Sequence, residues 1–251
     1  MPRKVSMFGH IFGSHMKRIG VLRTFAGGLP MYLCIPLLIV AHMTTAVALY
    51  QWILRPLLRT PRVRWADYVI IDRHRITELT WFDKFNCMFC GYANGLTTML
   101  NQEMDHTAAA MLPTGSLKRP LLWLVAVLWM PVYLMAEVGV QIIYNTLVSR
   151  PLGMHRVSFA QAGQMLRDTR YAQGHDVLLR TWLRLNKSVM LRFAMGLEQI
   201  ESSWCPLRHF ERRRGVVYPE HHKKFFGPDE LGRMVDVLST TGTVSDRRPT
   251  W

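Results

Sequence analysis

Two stretches of the chain carry almost no polar interruption, and they fix the order of everything between them. The first runs from Pro30 to Leu54 and has no charge between Met31 and Trp52. The second, Leu121 to Leu147, lies between Lys118-Arg119-Pro120 and Arg150, with Glu137 as its sole charged residue. About 20 apolar residues cross the hydrocarbon core of a bilayer, so both runs qualify as membrane helices. The first, interrupted mainly by Pro36, His42, Thr44 and Thr45, reads as an anchor. In the second, Pro131 removes a hydrogen bond from the middle of the ladder. That run is therefore expected to be kinked, or re-entrant as two half-helices bent at the proline. A carboxyl such as Glu137 is expensive at membrane depth and flags function; its bland reading is a carboxyl packed against a partner.

Helical periodicity governs the remainder. Thr80, with Asp83 three residues on as a variant capping-box acid, starts a helix expected to reach about Ala110, loosened at Gly91 and Gly95. Ser158 is placed to cap a short helix through Arg170. Leu178, Leu179, Trp182, Leu185, Val189 and Phe193 open an apolar stripe that continues through Ile200, predicting a helix over 177–203. Arg180, Arg184, Lys187 and Arg192 are expected to decorate its other faces. The resulting plan is mainly α. It comprises a basic N-terminal segment (1–29), a membrane helix (30–54) and a helical soluble segment (55–119). A second membrane-embedded segment (120–148), a helical C-terminal segment (149–238) and a flexible tail (239–251) follow. No internal repeat, Gly-rich phosphate loop or local signature of a nucleophilic triad occurs.

Charge changes the picture. The 251 residues carry 31 Lys+Arg against 17 Asp+Glu, a formal charge of +14, although only 19% are charged at all. Such a balance attracts polyanions. With long apolar runs present, anionic headgroups are the expected partner and nucleic acid is not. Arg55, Arg59, Arg62 and Arg64, interleaved with Pro56, Pro61 and Trp65, read as a juxtamembrane segment resting on such a surface. Residues 1–29 carry basic side chains and no acid, and the run after them is too long for a signal peptide. Basic flanks on every side and thiols without a disulfide framework fit a bacterial cytoplasmic membrane, with the soluble parts on its reducing face.

Candidate chemistry centres on cysteine. Cys87 and Cys90 form a C-x-x-C pair that places both sulfurs on one helix face. Cys205-Pro206-Leu207-Arg208-His209 adds a thiol at the N-cap of a helix opened by proline, and an imidazole one turn later. Thiolates are soft, charged donors. Cys87, Cys90, Cys205 and His209 together make a Cys3His set that closes a tetrahedral structural zinc site with no open position; iron or an iron–sulfur cluster is the alternative. Glu103 and His106 form an E-x-x-H motif, but a di-iron bundle needs two such motifs and further carboxylates, so a solvated pair is expected. Cys34 and His42 read as a buried thiol and a packed imidazole, and Glu220-His221-His222 as a surface turn.

The sequence Asn86-Cys87-x-x-Cys90-Gly91-Tyr92-Ala93-Asn94-Gly95, with Trp204-Cys205-Pro206-Leu207-Arg208-His209, resembles an uncharacterised group of bacterial proteins. That group shares the pattern N-C-x-Y-C-x-Y-A-N-G followed by Y-W-C-P-I-K-H. The resemblance implies that the two halves form one site and brings no activity with it. Here Phe89 stands in place of the Tyr before the second Cys, and the second apolar run separates halves that lie close together in the group.

These features predict a membrane-anchored, metal-binding accessory or assembly subunit of a larger membrane complex, non-catalytic, with a structural zinc. A membrane thiol–disulfide oxidoreductase using Cys87/Cys90 is the alternative, although no thioredoxin-like βαβ pattern surrounds the pair; a membrane metalloenzyme using Glu103, His106 and Glu137 is a third. One conflict follows. If both apolar runs cross the bilayer, Cys87/Cys90 and Cys205/His209 fall on opposite sides, and the common site requires that at least one run does not cross.

Overall fold

The computed structural model describes residues 7–69, 80–112 and 118–204. Among the described residues the chain is helical with no strand. We number six helices: α1 (Met7–Ile19), α2 (Val21–Leu58), α3 (Trp81–Met111), α4 (Arg119–Leu152), α5 (Phe159–Met165) and α6 (Val177–Trp204). Gly20, at φ 90°, turns α1 into α2 in a backbone region that favours glycine. The two expected membrane helices are present and extended: α2 and α4 have 38 and 34 residues, and both are long and apolar enough to cross a membrane.

The second run is not a hairpin. α4 continues through Pro131, which sits in the first turn of its second half. The ladder steps over the proline, because Trp129 N–H donates to Val125 O and Tyr133 N–H donates to Trp129 O. Both apolar helices contain wide π-type stretches, His42–Leu54 and Gly139–Val148.

Four long helices form a square bundle whose directions follow from specific contacts. Leu152 packs directly on Gly27 and Leu37 approaches Gly139, so α2 and α4 are antiparallel. Tyr32 donates to Asn86 (2.9 Å) and His42 meets Tyr92 (3.2 Å), so α2 and α3 are parallel. Trp123 donates to Asp176 (2.9 Å) and Arg192 pairs with Glu137, so α4 and α6 are parallel. Leu112 lies against Gly174 and Lys187 donates to Asn101 O (3.2 Å), so α3 and α6 are antiparallel. Two parallel neighbours in sequence require long returns. Residues 59–80 join α2 to α3, and 153–176 join α4 to α6.

The helices differ in how they use polarity. Large apolar side chains of α2 and α4 stand exposed along their outer sides, among them Leu22, Leu29, Met43, Val127 and Leu134. α3 is the inside-out member, with Asn101, Glu103, Thr97 and Thr107 buried. It tolerates them because polar side chains bond back to their own helix. Asn86, Asn94, Thr97, Thr98 and Asn101 each donate to the carbonyl four residues earlier, so each of these five side chains carries its donor into the interior satisfied. The main core joins Tyr50 and Leu54 of α2 with Leu96, Met99 and Met104 of α3 and Trp182 of α6.

Helix ends follow local chemistry. Thr80 caps α3, its hydroxyl accepting from Asp83 N–H (3.3 Å) and donating to the Asp83 carboxylate. Ser158 caps α5 in a reciprocal box with Gln161. That helix stops at Met165 rather than reaching Arg170, and Thr169 turns its hydroxyl back to Leu166 O (3.0 Å). The expected helix to Leu238 and tail 239–251 lie outside the described residues.

Candidate functional site

Cys87 and Cys90 occupy the N-terminal half of α3, one turn apart, half-buried, and both are thiols. Their neighbours in the motif hold this half of α3 against α2 and the returning chain. Asn86 accepts from Tyr32 through its side-chain oxygen and donates to Phe82 O through its nitrogen. Tyr92 meets His42, whose ring stacks flat on Trp65 at 4.4 Å. Ala93 is buried in the core. Gly95 is the tightest point: a Cβ there would stand 2.6 Å from Val69 Cα and 2.7 Å from Tyr68 O. Backbone cannot yield as a side-chain tip can, so glycine is required by close approach. Most of the non-cysteine motif positions are thus occupied in packing. Cys34 lies against the same core, and His42 is a packed imidazole as expected.

Among the described residues no three His, Cys, Asp or Glu side chains gather as a metal-ligand group. Cys205 and His209, the other half of the expected donor set, lie outside the described residues, as do Glu220, His221 and His222. The donors that are described suit a thiophilic ion in spacing and chemistry: two thiols on one helical face.

A second polar level crosses the bundle near the other end of α3. Asp105 accepts from Tyr171 (2.6 Å) and from Lys187 (3.0 Å), while Lys187 also donates to Asn101 O. Burial pulls the Lys187 ammonium below its ordinary range and Asp105 beside it opposes that shift. Burial, and then Asp105, push the Tyr171 phenol up. Glu103 corrects the expectation of a solvated E-x-x-H pair. It is 1% exposed, covered by the last turns of α2, and its Oε1 has no hydrogen-bond partner among the described residues. Burial pushes its carboxyl up to about 7, with the nearby Arg55 guanidinium pulling the other way. His106 is half-buried and bonds to Gln102 (2.8 Å) rather than to Glu103.

The third feature is the partner of Glu137. Arg192 of α6, 0% exposed, approaches it with both terminal nitrogens, one at 2.8 Å. Gln141 donates to the same carboxylate (3.0 Å), and the guanidinium stands 5.2 Å from the Phe159 ring. Arg192 also lines an apolar cavity of about 100 Å³ bounded by all four long helices, including Cys34, Leu100, Val132 and Phe193. Glu137 is thereby engaged within its own chain. Sequence reasoning placed Lys187 and Arg192 on outer faces, and the structure buries both. The available signal was their company: each stands among apolar residues on a helix whose opposite partner carries an unmatched acid.

No protein-family model matches this chain, and neither any curated protein nor any solved structure matches it. What the fold defines is a mainly helical bundle with two helices able, by length and composition, to cross a membrane.

Proposed function

We propose that this protein is a membrane-associated accessory or assembly subunit in which Cys87, Cys90, Cys205 and His209 hold one structural metal ion. Zinc is the first choice, and iron or an iron–sulfur cluster the alternative. One observation carries the reading: the antiparallel course of α3 and α6. Lys187 stands level with Asn101 and Asp105. From there to Trp204, α6 advances about 26 Å at 1.5 Å per residue, and the same distance back along α3 ends near Asn86. Cys205 follows Trp204 directly, one Cα–Cα step of about 3.8 Å away. The register thus directs the chain toward the level of the C-x-x-C pair.

The donor chemistry supports the same reading. Three thiolates and one imidazole neutralise and enclose a divalent ion, leaving no position for substrate, so the ion would tie α3 to the chain beyond α6. The motif shared with the uncharacterised bacterial group fits this use. Exposed apolar sides on α2 and α4 and the net positive charge support lipid and a larger membrane complex as partners. Basic flanks favour the cytoplasmic face of a bacterial inner membrane.

Elemental analysis of the purified full-length protein tests the proposal. The expected result is about one zinc or iron per chain, lost in both Cys87→Ser and Cys205→Ser together with part of the near-UV dichroism. A metal-free preparation with its full near-UV signal overturns it. The thiol–disulfide oxidoreductase reading, favoured only by the two thiols standing one turn apart, predicts reversible oxidation without metal.

A further inference from the structure

We propose that α2 and α4 lie side by side in the plane of the bilayer, their outer apolar sides sunk into one leaflet, and that neither crosses it. The inference rests on the membrane association proposed above and concerns its geometry. α2 touches α4 and α3, while α6 touches α4 and α3, so α2 and α4 form one side of the square and α3 and α6 the other. Exposed apolar residues run the length of that first side: Leu29, Ile39 and Met43 on α2, and Val127, Leu134 and Val138 on α4.

The chain returns on the other sides carry exposed charge at the same levels. Trp65 stacks on His42, which places the returning chain beside the middle of α2. There Arg64 and Asp67 form an ion pair with side chains 69% and 50% exposed, in a stretch with only three residues of 3-10 helix. Next to α4, Val157 exchanges hydrogen bonds with Asn145, and Asp176 accepts from Trp123. The chain between them packs on α6 and α3, and there Arg167, Asp168 and Arg170 are exposed.

If α2 and α4 stood across the bilayer, these charges and this irregular backbone would face hydrocarbon. Exposed irregular backbone does not occur there, because its polar groups find no partner, and charged side chains at that depth are strongly disfavoured. Laid flat, the molecule puts its apolar side in lipid and its polar side in water. Charge complements that seat. Arg23 and Arg59 at the ends of α2, and Lys118 and Arg150 at the ends of α4, are exposed around the apolar side, suited to anionic headgroups. The conflict posed by the cysteines then disappears, since α3 and the end of α6 share one aqueous side.

Oriented circular dichroism of the full-length protein in aligned bilayers of neutral and anionic phospholipid reads the helix axes directly. The four long helices are mutually parallel or antiparallel, so they tilt together. The expected result is a strong helix-axis-polarised exciton band at normal incidence; its disappearance means helices along the membrane normal and overturns the proposal. Flotation with protein-free vesicles of the same lipids keeps the two readings apart, because failure to float defeats membrane association itself and assigns the apolar side to a protein partner. Among variants with unchanged helical content, Met43→Glu with Val127→Glu is expected to weaken vesicle binding at least about tenfold. Met165→Glu, on the exposed return beside α6, is expected to leave binding unchanged, and equal weakening by both would contradict the in-plane seat.

Discussion

The bundle consists of two pairs of helices that solve opposite problems. α2 and α4 expose large apolar residues along their outer sides, and their charged residues, Glu137 apart, stand at their ends. α3 and α6 do the reverse, burying Asn101, Glu103, Lys187 and Arg192 and keeping much of their apolar surface for the core. The proposed seat in lipid would account for the first pair. Pairing accounts for much of the second: several side chains bond back to their own helix and the buried cations find Asp105 and Glu137, while Glu103 is held without a partner for its Oε1 among the described residues. The difference shows that a hydropathy pattern reports what surrounds a helix only when its polar residues point outward.

The sharpest way to break this contrast is to leave a buried charge alone. Glu137→Ala leaves the fully buried Arg192 without its carboxylate, and the expected loss is about 3–5 kcal/mol, read as a lowered unfolding midpoint in detergent. The double change Glu137→Leu with Arg192→Met is expected to recover most of that loss. A single variant as stable as the parent would mean that the pair contributes nothing to the joining of α4 and α6.

Glu103 sharpens the contrast through pH. Its folded carboxyl titrates near 7, above the ordinary 4.5, so the folded state holds the proton more tightly than the unfolded state. Its contribution is therefore fully present below the ordinary value and is lost as pH rises through 7. Glu103→Gln is expected to be more stable than the parent at about pH 8, by up to about 3 kcal/mol, with the difference vanishing at about pH 4. Thermal melts at the two pH values check it; a constant difference would place Glu103 in contact with solvent.

Gly95→Ala forces a methyl group into the Tyr68–Val69 backbone, with an expected cost of about 1–3 kcal/mol and looser protection of the return beside α2 in hydrogen exchange. Thr80→Ala removes the cap of α3 at about 1 kcal/mol. Fraying confined to the first turns would be its signature in the same exchange experiment.

Much of the architecture was legible along the chain. Both apolar runs stood out because no charge interrupts them, and the structure extends them to Val21–Leu58 and Arg119–Leu152. Thr80 with Asp83 marked the start of α3, and the stripe from Leu178 marked α6. What resisted reading was tertiary. Pro131 looked like a bend, yet a proline in a first turn needs no donor, so α4 runs on. Lys187 and Arg192 looked like surface residues because nothing local announces a carboxylate on another helix. Gly95 looked like a weak point in α3 and is instead where the chain before α3 makes its closest approach. The candidate site divides in the same way: the spacing of Cys87 and Cys90 is local and visible, whereas their proposed meeting with Cys205 and His209 rests on the register of α3 against α6.

That meeting is the claim on which the proposed function stands, and cobalt titration of the metal-stripped full-length protein tests it most directly. Binding of one equivalent is expected, with thiolate-to-cobalt charge-transfer absorption and tetrahedral visible bands. The absorption is expected to fall in Cys87→Ser, Cys90→Ser and Cys205→Ser, with a shifted visible spectrum in His209→Ala. Charge-transfer absorption unchanged by Cys205→Ser, or absent from the parent protein, would contradict the account.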